Sequence, residues 1–152
     1  MTMIRTLTVA LLFVGLAAGC GGPTANQQNP YPDCPMPENA TFSGRWGSNL
    51  GDVELAQDGA TVIGSWRDLP AHKTGHIEGT VRGCLLLFSW TQSDEMIPGM
   101  PRESTGRGVF RYILDPQAGT GVPIHRFEGT WGYDNDLQGG GVWNARKKRE
   151  GG

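Results

Sequence analysis

The sequence predicts an all-β domain, an eight-stranded antiparallel up-and-down meander closed into a barrel, with a two-sheet β-sandwich as the alternative. Three observations carry this. From Phe42 onward, apolar and polar residues alternate in short runs broken by turn signals, and no 3.6-residue stripe follows the first twenty residues. The alternation places all five tryptophans on one face. A Gly-x-Trp unit recurs at 44–46, 64–66, 129–131 and 141–143, with Gly79-Thr80-Val81 as a weaker copy. Each glycine frees volume for a neighbouring ring and lets the strand bend, as a small barrel requires.

The strands, with their inward residues, fall in this order. The first is 42–48 (Phe42, Gly44, Trp46), then 51–57 (Val53, Leu55) and 60–68 (Val62, Gly64, Trp66). Next come 76–82 (Ile77, Gly79, Val81), 84–92 (Leu86, Phe88, Trp90) and 107–115 (Phe110, Tyr112, Leu114). The last two are 124–133 (Phe127, Gly129, Trp131) and 140–146 (Gly141, Trp143). Asp58-Gly59 is a hairpin signal, Gly83 is a tight turn, and 115–119 turns the sixth strand into the seventh. The other face carries Arg45, Glu54, Glu78, Arg82, Arg111 and Glu128, the pattern of a half-buried antiparallel sheet. Regular turns between neighbours favour the barrel, because closure removes both exposed edges.

Ahead of the domain, Leu7–Ala18 is uncharged and mostly apolar. It suits a signal-peptide core and is too short to span a bilayer as a mature helix. Ala17-Ala18-Gly19-Cys20 follows and resembles the lipobox of bacterial lipoproteins, with Ala17 where Leu is usual. The resemblance implies cleavage before Cys20, lipid on Cys20 and a place in the cell envelope. Gly21 in the second mature position, rather than Asp, favours the outer membrane over the inner. Several acyl tails make such anchoring stable. Gly21–Glu38, with five prolines, reads as an extended tether. The expected division is therefore a signal peptide over 1–19, lipidated Cys20 and a flexible tether over 20–38, the barrel over 39–146, and a basic, Gly-ended tail over 147–152.

Of three cysteines, Cys34 and Cys84 remain once Cys20 is lipidated. An even remainder in an oxidising compartment reads as one disulfide, with two unpaired thiols as the alternative. The net charge of −2 gives no basic footprint for nucleic acid.

The stretch Ser43-Gly44-Arg45-Trp46-Gly47-Ser48-Asn49-Leu50-Gly51 resembles the first strand and turn of calycins, most closely the avidin-like group. Val62-Ile63-Gly64-Ser65-Trp66 is similar to a later step of that group, and Trp143-Asn144-Ala145-Arg146 to the final calycin strand. The resemblance implies a barrel whose end is closed by Arg146 lying across Trp46 through cation–π contact. It does not imply biotin binding. Asp52 stands where the avidin pattern has Ser, and Trp66 where it has Tyr, so hydrogen bonds a buried polar ligand needs are missing.

An eight-stranded barrel is wide enough to fill with side chains or to hold one small ligand. Trp46, Trp66, Trp90, Tyr112, Trp131 and Trp143 are the candidate ligand-binding residues, suited to a small apolar or aromatic molecule. The alternative is a fully packed core, and with it a structural or protein-interaction module of the envelope. His72, His76 and His125 lack metal-ligand spacing, and Asp134-Asn135-Asp136 with Gly139 lacks the register of a calcium loop. Asp94 and Glu95 are adjacent, so paired acid–base work is not implied, and no nucleophile elbow is present. No cofactor and no enzymatic reaction is expected. The 93–105 connection, with Met96, Ile97, Pro98, Met100 and Pro101, reads as a lid, a partner contact or a self-packed plug.

Overall fold

The computed structural model describes residues 28–95, 99, 102–116, 119 and 121–149. The expected signal peptide, Cys20 and the apolar residues of the 93–105 connection lie outside the described residues. Those described form β1 (Gly44–Ser48), β2 (Gly51–Asp58), β3 (Thr61–Asp68), β4 (Lys73–Arg82) and β5 (Leu85–Asp94). They continue as β6 (Arg102–Asp115), β7 (Ile124–Tyr133), β8 (Gly141–Val142) and β9 (Ala145–Lys147), with no helix among them.

The circuit runs β1-β2-β3-β4-β5-β6-β7-β9 and back to β1, every pair antiparallel. The fold is an eight-stranded closed meander barrel. The sandwich alternative is not adopted, because β9 hydrogen-bonds to both β7 and β1 and leaves the sheet no open end. The expected eighth strand, 140–146, is broken into β8 and β9 at Trp143-Asn144, and among the described residues β8 pairs only with β7. Asn49, in the β1–β2 turn, closes the gap as a peptide unit would. Its Nδ2 donates to Val142 O (3.0 Å), its Oδ1 accepts from Asn144 N (2.7 Å), and its backbone N–H donates to Asn144 O (3.1 Å).

Strand direction defines two ends. The upper end holds the β1–β2, β3–β4, β5–β6 and β7–β8 connections, the lower end the entry to β1 and the β2–β3, β4–β5 and β6–β7 connections. The expected inward residues fill the interior: Phe42, Trp46, Val62, Leu86, Phe110 and Phe127 are fully buried.

Residues 28–38 are not the free tether that composition suggests. They form a strap down the outer face of β5–β7, with Tyr31, Cys34 and Met36 packed against the core. At the upper end Gln138 Nε2 donates to Gln28 O (3.3 Å). Further down, Arg111 stacks on the Tyr31 ring at 5.1 Å and pairs with Glu128. At the lower end Cys34 and Cys84 form the expected disulfide, with Cα atoms 5.4 Å apart. Gly83 has φ +56°, and a Cβ there would strike the Cys34 carbonyl, so the strap's approach requires glycine. The strap covers what would be exposed apolar surface: Leu85 and Val109, at outward positions, are fully buried. Leu137, in the β7–β8 connection, is also buried, its carbonyl accepting from Thr130 Oγ1 (2.8 Å).

Candidate functional site

The six candidate ligand-binding residues all face inward, and the structure distributes them along the barrel axis rather than around one void. Trp46 and Tyr112 sit in the lower half, ring centroids 5.9 Å apart. Phe127 lies 5.1 Å from Trp46 and stacks on Phe110 at 4.0 Å. Phe110 meets Trp143 edge-on at 5.3 Å, and Trp143 meets Trp66 at 5.5 Å. At the top, Trp90 meets Trp131 at 5.6 Å, and Tyr133 joins both at 5.6 and 5.3 Å. Edge-to-face and offset pairs at such separations are favourable beyond their area. The rings form two sets, one running from Tyr112 and Trp46 through Phe110 to Trp143 and Trp66, the other made of Trp90, Trp131 and Tyr133 at the top.

The glycines explain how so many rings fit. A Cβ on Gly106 would lie 2.5 Å from Trp90 Cζ2, one on Gly129 2.6 Å from Phe110 Cδ1, and one on Gly140 2.5 Å from Trp131 Cε3. Each ring occupies the space above a glycine on a neighbouring strand or turn. Of the glycines in the Gly-x-Trp repeat, Gly129 serves a ring in this way, whereas Gly44 faces Lys147 and Gly64 faces Leu55 and the Glu54 carbonyl.

Hydrogen bonding divides the rings. Trp46 Nε1 donates to Phe42 O (2.9 Å), Trp143 Nε1 to Ser48 Oγ (3.0 Å) and Trp90 Nε1 to Arg107 O (3.3 Å). Trp66 Nε1 and Trp131 Nε1 are buried without a partner among the described residues. Both belong to the upper half.

The lower end is polar around Tyr112, whose hydroxyl hydrogen-bonds with His125 Nδ1. Burial raises the Tyr112 pKa. Burial, and then the Lys147 charge, lowers that of His125. The cation over Trp46 is Lys147, not Arg146. Lys147 Nζ lies 5.4 Å from the Trp46 ring and donates to Thr41 O (3.4 Å). The reason is register: Lys147 is directly opposite Trp46 and shares its face, whereas Arg146 opposes Gly47 and points outward.

The upper rim carries polar residues that the alternation did not reveal. β4 begins at Lys73 rather than 76 and β6 at Arg102 rather than 107. The extra residues continue the inward rows, so Asp68 opposes Lys73, Lys73 opposes Asp94, and Asp94 opposes Arg102. The signal was present as alternate charged positions running on from Trp66 and Trp90, but without apolar partners it read as loop.

An open groove of about 750 Å³ lies outside, on β1–β4, lined by Arg45, Asp52, Glu54, Arg67, His76 and Lys148 among others, with Lys148 paired to Asp52 at 2.7 Å. Its charges are mixed and exposed. Among the described residues no three His, Cys, Asp or Glu side chains gather as a metal site would need. Comparison of the chain with known protein families, characterised proteins and solved structures finds no match.

Proposed function

We propose that the protein is a lipoprotein of the bacterial cell envelope, anchored through Cys20, whose barrel is a solid scaffold that works through its outside and rim. The ring packing around Phe110 carries this reading. Phe110, stacked between Phe88, Phe127 and Trp143, stands where a ligand would have to lie. The signal-peptide core, the lipobox-like tetrapeptide and Gly21 support anchoring in the outer membrane. A protein partner in the envelope is the occupant expected on the outer surface, and we assign no reaction.

The competing reading is a carrier of a small apolar or aromatic molecule, favoured by the unpaired indole N–H groups of Trp66 and Trp131. Tryptophan emission, titrated with fatty acids, aromatics and sugars, separates the two. A scaffold gives no saturable shift. A saturable shift abolished by Trp131→Phe would establish the carrier instead. Mass spectrometry of the mature amino terminus checks the anchor, with a lipid-modified Cys20 expected.

A further inference from the structure

Among the described residues, five large apolar side chains are left exposed: Ile63 on the wall, Val122 at the lower end, and three at the upper end. Leu69 (70% exposed), Tyr133 (53%) and Val142 (58%) are all at the upper end. Leu69 follows the last residue of β3, Tyr133 ends β7, and Val142 lies in β8 beside β7. In the circuit of eight strands, β3 and β7 are four places apart, so Leu69 and Tyr133 stand across the mouth from each other. The line between them crosses the mouth, so a flat surface laid on the rim meets both.

The chain leaves the structure at the same end. Gln28 is held by Gln138, next to the top of β7. Cys20 is eight residues before Gln28. At roughly 3.3–3.6 Å per extended residue, the anchor lies no more than about 29 Å from this rim. A tether attached at the lower end would instead have held the rim away from the membrane.

Resting on the anchored-lipoprotein reading, we infer that the upper rim sits on the bilayer that holds Cys20, with Leu69 and Tyr133 entering the headgroup layer. Tyrosine, with an apolar ring and a polar tip, suits that layer, and the half-buried Trp131 beneath it extends the aromatic surface. The rim's charges are mostly acidic: Asp68, Asp94, Glu95, Asp134 and Asp136 against Lys73 and Arg102. The surface that fits is zwitterionic, since anionic lipid repels such a rim.

The experiment uses the mature lipidated chain in phosphatidylcholine vesicles, with an environment-sensitive fluorophore on Leu69→Cys, Ile63→Cys or Val122→Cys. All three positions are exposed, on the rim, the barrel wall and the lower end respectively. The label at 69 is expected to shift to the blue and to be quenched by bromine-bearing lipid, while those at 63 and 122 stay as in water. A floating protein with an unquenched label at 69, or with stronger quenching at 63 or 122, overturns the docking and leaves the anchor intact. A protein that does not float with the vesicles overturns the Cys20 anchor and the docking together.

Discussion

The two halves of the barrel are filled from the same residue types but finished differently. In the lower half, Trp46 is fully buried, its N–H is satisfied by Phe42 O, and Lys147 lies over its ring. The chain entering β1 closes that end. In the upper half, Trp131 is only half-buried and its N–H is unpaired, as is that of Trp66, and the rim beyond is charged. Ring count does not distinguish a sealed end from an open one. What distinguishes them among the described residues is where the unsatisfied indoles lie: both are in the upper half, where Trp90 alone finds a backbone carbonyl, that of Arg107.

The comparison can be broken first at the covalent link that holds the strap to the lower end. Replacing Cys34 and Cys84 together by Ser frees a loop with a sequence separation of 50. Loss of that constraint should cost about 2–4 kcal/mol in guanidinium unfolding. It should also expose Leu85 and Val109, seen as dye binding in the folded state.

A pair of substitutions sharpens the contrast between halves. Trp46→Phe removes volume from a sealed site and leaves the Phe42 carbonyl unpaired, a loss of about 2–3 kcal/mol. Trp131→Phe removes an N–H that has no partner from a half-open site, and should cost under about 1 kcal/mol. Equal losses by chemical denaturation would refute the distinction.

The smallest effect is electrostatic and belongs to the lower end. His125 has a lowered pKa in the folded protein, so the unfolded chain binds its proton more readily. The associated stability is intact above the usual histidine pKa of about 6.5 and is lost as pH falls below it toward the lower folded value. His125→Gln should flatten the melting temperature between about pH 7 and 5 relative to the parent, and Lys147→Gln should flatten it partly.

Much of the fold was legible because one face of each strand is apolar and period two is unambiguous. Val53, Leu55, Val62, Trp66, Phe88 and Phe110 all lie where alternation places them. The pairing of Cys34 with Cys84 followed from parity. The strap was not legible, because Pro-rich sequence has no periodicity of its own. Its trace was in the partner surface, where Leu85, Leu87 and Val109 put apolar side chains at outward positions. The break at Trp143-Asn144 was hidden too, since what closes it is the Asn49 side chain, distant in sequence. The role of Arg146 rests on the calycin resemblance alone. The alternation itself, with Gly141 and Trp143 inward, puts Ala145 and Lys147 on the inner face and Arg146 on the outer one.

The strap also has a mechanical meaning. Tension on the chain ahead of Gln28 passes along the Gln28–Gln138 hydrogen bond and the Tyr31–Arg111 stack before it reaches the Cys34–Cys84 bond. A pull away from the wall peels those contacts one at a time and frees six residues, about 20 Å of chain, whereas a pull along the strap loads them together, because the strap already spans the barrel from lower end to upper. Beyond them the load passes through the disulfide to Cys84, beside the start of β5.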